Sequence, residues 1–158
     1  MDAAADRPGE PLQKESSGVI PPSTTTTTLT GDRTWLGARH GTDSIDTITV
    51  DLGKLTKNTH YVEPTAAGPH GYVRSGVPVG RITASGLYGA YDPAATDGRQ
   101  TLAGVVFSEA AFVPGQSKVP AALLWHGVVI PSRVPGGIDL TKVVASPAGA
   151  QLRFVEVG

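Results

Sequence analysis

The chain has 158 residues, no cysteine and a formal net charge of −1. Disulfides and thiolate metal sites are excluded, and the balanced charge lacks the positive excess that nucleic-acid binding draws on. Gly (20) and Pro (13) together supply about a fifth of the residues, which predicts many turns and few long helices. The length suits one domain, or one domain with an arm. With only 2 Trp, 4 Tyr and 3 Phe, the core must be built mainly from Val, Leu, Ile and Ala. A small domain without staples is marginal alone, and joining a partner is a common remedy. No apolar run is long enough to cross a bilayer, and the polar, acidic start does not read as a signal peptide, so no membrane partner is expected.

Residues 1–30 carry two basic and four acidic side chains and end in a threonine run, Thr24 to Thr28. Few apolar residues stand there to offset the entropy of ordering, so the expectation is a low-complexity, disordered extension. Residues 31–60 read differently. Trp35 and Leu36 form an apolar pair between glycines, flanked by Arg33, Arg39 and His40. Ile48, Val50 and Leu52 then alternate with Thr49 and Asp51, the period of a strand with one buried face. No turn signal folds this stretch onto an obvious neighbour. It reads either as an extended arm with one sticky face, suited to strand addition on a partner, or as an edge strand of the chain's own sheet.

From Tyr61 the pattern is globular, and residues 61–158 are expected to form a β-rich domain. Short apolar runs separated by Gly and Pro predict strands around Gly71 to Ala84 and Thr101 to Phe107. Lys118 to Ile130 is the most apolar stretch, and Leu123, Trp125, Val128 and Ile130 are the expected core residues. Gly137 to Ser146 is a candidate short helix capped by Asp139. Gln151 to Val157 reads as a closing strand. The fold class is thus mainly β, with one or two short helices.

Chemistry is sparse. Ile82 to Phe107 gathers two aspartates, an arginine, two tyrosines and several glycines, as a small active site does. Yet Asp92 precedes Pro93 and Asp97 precedes Gly98, both turn-forming pairs, and Arg99 suits a surface ion pair with either. Pro93, Ala94 and Ala95 offer no side-chain oxygen for a calcium loop. His40, His60, His70 and His126 form no metal-binding spacing. No nucleophile elbow, Walker loop or dinucleotide fingerprint is present. Gly80 to Gly89, GRITASGLYG, faintly resembles the serine motif of trimeric dUTPases, but the C-terminus lacks that family's Gly-rich phosphate-binding tail. No enzyme activity and no cofactor are expected.

Two segments together carry a resemblance. Gly31 to Gly41 followed by ITVDL, and then GYVRSGVPVGRITASGLYGAYDPAATDGRQTLAGVVF with AALLWHGVV, resemble head decoration proteins of tailed phages of actinobacteria, similar in role to the lambda-type decoration protein. The resemblance spans Leu29 to Phe154. It implies a compact β-clip-like domain behind an N-terminal arm, made in the host cytoplasm and placed as a homotrimer on the outer surface of the virion head. Its partner would be the major capsid protein, and its task to reinforce the expanded shell against packaged DNA. On that reading Trp35, Leu36, Arg39, Ile48, Val50 and Leu52 belong to the capsid-binding arm. Leu87, Tyr88, Tyr91, Asp92, Asp97 and Arg99 belong to a loop at the trimer centre or facing the capsid. A carbohydrate-binding or adhesive β-module is the alternative, favoured if Trp35, Tyr88 and Tyr91 share one exposed face.

Overall fold

The computed structural model describes residues 31–144 and 149–158, and the expected disordered extension 1–30 lies outside the described residues. The chain is mainly β. Its strands are β1 (Leu36–Ala38), β2 (Ile45–Asp51), β3 (Tyr61–Val62), β4 (Gly71–Val73), β5 (Pro78–Arg81) and β6 (Tyr88–Ala90). They continue with β7 (Gly104–Val106), β8 (Ala110–Phe112), β9 (Lys118–Leu124), β10 (His126–Val129) and β11 (Gln151–Phe154). Five of them close into a barrel in the order β2-β6-β5-β7-β9. Two three-stranded sheets flank it, β3-β4-β8 and β1-β10-β11.

The alternation of Ile48, Val50 and Leu52 does bury one face, but inside this chain. β2 pairs antiparallel with β9 from Ile45↔Leu124 to Asp51↔Lys118, and touches β6 at Val50↔Tyr88. Ile48, Val50 and Leu52 enter a core cluster with Val73, Val77, Val79, Val106, Val119 and Leu123. The expected arm of residues 31–60 is therefore corrected: its central strand is a stave of the barrel, and the folded domain does not begin at Tyr61. No local turn announced this pairing because the partner strand lies far along the chain.

Within Lys118 to Ile130, Leu123 and Ile130 are buried as expected, whereas Trp125 and Val128 are only half-buried. Leu124 and Val129 take the interior places. Leu124 faces a second cluster on the other side of β9, and the break at Trp125, between β9 and β10, shifts the alternation so that Val129 rather than Val128 faces that cluster. The expected helix from Gly137 is also absent from its described residues. Asp139 does behave as a cap, its Oδ1 accepting the Thr141 N–H at 3.0 Å, but only one turn forms, closed by Lys142 N–H to Asp139 O. The short helical segments lie elsewhere, as 3-10 turns at Leu52–Lys54 and Pro131–Arg133.

Candidate functional site

The residues expected to anchor a capsid do not form a surface. Trp35 is 1% exposed and sits with Val105, Leu124, Val129 and Val134 in a second core cluster. Its indole Nε1–H donates to Ser75 Oγ at 2.8 Å, and the Ser75 hydroxyl donates to Phe107 O at 3.1 Å. A buried indole needs such a partner, so the ring is fixed at both its apolar and its polar end. Leu36 packs half-buried against the same cluster, and of the six arm residues only Arg39 is exposed. Because Trp35 is internal, the three aromatic residues Trp35, Tyr88 and Tyr91 share no exposed face.

Of the loop residues, in contrast, Asp92, Asp97 and Arg99 are brought together. β6 and β7 are not neighbours, since β5 lies between them, so residues 91–103 cross over the end of β5 rather than closing a hairpin. Gly80 and Gly89 are cross-strand partners, and their missing side chains leave a shelf for Arg99. A Cβ on Gly80 would fall 2.6 Å from Arg99 Cα, and one on Gly89 would fall 2.7 Å from Arg99 Cδ. From that shelf Arg99 Nε donates to both Asp97 carboxylate oxygens, at 3.1 and 3.0 Å, and Nη1 reaches Ala90 O at 3.3 Å. Lys54 Nζ adds a longer contact of 3.8 Å to Asp97. Partial burial pushes the Asp97 carboxyl up, but the hydrogen bonds from Arg99 outweigh it and hold the group below the ordinary range.

Asp92 accepts the Ala94 N–H at 2.9 Å, and Ala95 N–H returns to Asp92 O, so the Asp92–Pro93 pair starts a turn as its residue types predict. Tyr91 donates its hydroxyl to Lys142 O at 3.1 Å, and burial followed by the nearby Asp139 and Asp92 raises its pKa. Leu87 and Tyr88 are half-buried, and Tyr88 packs on the barrel core. Both aspartates and the arginine thus hold the crossover in shape. Among the described residues no three His, Asp or Glu side chains come together to hold a metal ion. His40 and His126 do meet edge to face, 5.1 Å between ring centres, as a pair only.

Two clefts escaped the sequence reading. One, of about 770 Å³, is apolar and lies between the Leu52 turn and the loops around Pro64, Pro69 and Pro114, over the edge-to-face pair Tyr61–Phe112. Pro64, Pro69 and Pro114, in the loops of residues 64–69 and 113–117, are its only trace in the sequence. The other, of about 460 Å³, opens at one end of the barrel and is lined by Asp46, Arg81, Tyr88, Gln100 and Trp125 among others. These residues stand far apart in sequence, and only barrel closure assembles them. No family model, no curated protein and no solved structure matches this chain.

Proposed function

We propose that the protein is a structural decoration protein of a phage head, binding the outer surface of the expanded shell as a homotrimer. The observation that carries this reading is the fate of the motif behind the resemblance. Residues 71–107 and 121–129 supply three of the five barrel strands whole and most of a fourth, and the charged groups between them, Asp92, Asp97 and Arg99, are spent on loop geometry. A rigid barrel with its polar loop groups internally paired suits a clamp that adds contacts across a junction, stabilising the assembled state by mass action. Three copies joined in a trimer would bind with avidity, so each contact need not be tight alone. With Trp35, Leu36, Ile48, Val50 and Leu52 committed to the chain's own cores, the shell contact must use other residues, and the 1–30 segment is the first to test.

Co-sedimentation with expanded shells of the virus that encodes the chain tests this. Full-length protein is expected to pellet at saturation, and a chain beginning at Gly31 to bind much more weakly while still migrating at three times the chain mass. Truncation at Tyr61 is not a usable comparison, because it removes β2 and opens the barrel. Failure of the full-length protein to pellet would overturn the decoration reading. Equal binding by the shortened chain would move the contact onto the barrel domain.

A further inference from the structure

We propose that the cleft at the barrel end is a binding site for a neutral disaccharide. It lies where β5 and β9 finish and β6 and β7 begin, and its volume of about 460 Å³ is within the range of small-molecule sites. Sugars present apolar C–H faces, which stack on aromatic rings, and hydroxyls, which both donate and accept. The cleft offers both kinds of group. Tyr88 and Trp125 are half-buried aromatic walls. Asp46 supplies an acceptor, Arg81 a fork of donors, and Thr83 a hydroxyl that does both.

Three features favour this ligand class over others. Asp46 and Arg81 are exposed and, among the described residues, their side chains are in no ion pair or hydrogen bond, so their bonding capacity is unspent. Their opposite charges cancel, and each opposes an ion that the other would attract, which disfavours phosphates and cations alike. The wall is also pre-organised. Gln100 Oε1 accepts the Gly98 N–H at 2.8 Å, fixing the amide with its NH₂ group left to donate, and Thr83 N–H is tied to Asp97 O at 2.8 Å. Gly98, at φ 112°, is required there, because a Cβ would strike Arg81 O and lie 2.6 Å from Thr83 Oγ1. A cleft fixed before binding loses less entropy when it closes on a ligand. The proposal does not rest on the decoration reading, since every wall residue comes from one chain.

Intrinsic fluorescence offers a direct readout, because the chain has only 2 Trp and Trp35 is 1% exposed, so a ligand-induced change reports Trp125. Full-length protein would be titrated with maltose, cellobiose, lactose and trehalose, with uridine, whose planar base could stack on the same rings, as an uncharged comparison. A saturable change with at least one disaccharide in the millimolar range is expected. Arg81→Ala and Asp46→Ala, both at exposed positions, should keep the circular dichroism spectrum and weaken binding about tenfold each, as the loss of one charged hydrogen bond does. The proposal is overturned if no disaccharide gives saturation, if uridine binds and the sugars do not, or if both variants bind as tightly as the unaltered chain.

Discussion

The barrel and the β1-β10-β11 sheet draw on adjacent residues of the same strands, yet they are held together by different means. On β7, Val106 faces the barrel interior while Val105 faces Trp35; on β9, Leu123 and Leu124 divide in the same way. The barrel interior is a set of mainly aliphatic side chains inside a ring of five paired strands, closed between β2 and β6 at Val50↔Tyr88. The outer sheet has three short strands with two edges, and Leu36, Leu152 and Phe154 from those strands pack against the cluster that holds Trp35, whose indole is anchored through Ser75. Closure ties the barrel strands to one another, whereas the outer sheet is held to the barrel through the packed cluster around Trp35.

That contrast is easiest to break at Trp35. Trp35→Ala should cost about 3–5 kcal/mol, the range for emptying a buried aromatic site, measured by denaturant unfolding. Hydrogen exchange should show amides of β1, β10 and β11 losing protection first and those of the β2–β9 ladder last. Simultaneous loss in both regions would mean that the two units unfold as one. Ser75→Ala should cost less, about 1–3 kcal/mol, because it leaves Phe107 O unpaired and the indole N–H with only its longer contact, 3.2 Å to Asp32 O. A variant as stable as the parent would show that the polar end of Trp35 contributes nothing.

The smallest effect is expected from pH and concerns His60, next to Gly136 at the base of β3. Burial lowers its pKa below the ordinary value of 6.5, and its Nδ1 accepts the Thr56 N–H at 2.9 Å, which requires that nitrogen to be unprotonated. The unfolded chain therefore takes up this proton more readily. The associated stability is intact above about pH 6.5 and is lost as the pH falls towards the folded pKa. Comparing denaturation midpoints of the parent and His60→Gln from about pH 8 to about pH 5 isolates the contribution. The parent should lose more on acidification; parallel curves would remove His60 from the account.

Much of the secondary structure could be read locally. The alternation at Ile48, Val50 and Leu52 marked a half-buried strand, and Asp92–Pro93 marked a turn, because both depend only on neighbouring residues. The phase of Lys118 to Ile130 is not legible across Trp125, since an apolar run does not show where one strand stops and the next begins. The role of Arg99 was half-visible: its pairing with Asp97 follows from proximity in sequence, but the Gly80–Gly89 shelf beneath it exists only once β5 and β6 pair.

The sequence by itself determined a mainly β chain, rich in turns, whose core had to be aliphatic. Only the tertiary structure decided that the presumed arm is a barrel strand, that Trp35 is internal, and that Asp46, Arg81, Tyr88, Gln100 and Trp125 share a cleft. The physical reason is range. Alternation, turn chemistry and charge balance are properties of neighbours along the chain. Which strand β2 pairs with is settled by barrel closure with β9, where burial of Ile48, Val50 and Leu52 and the seven-position ladder are satisfied together.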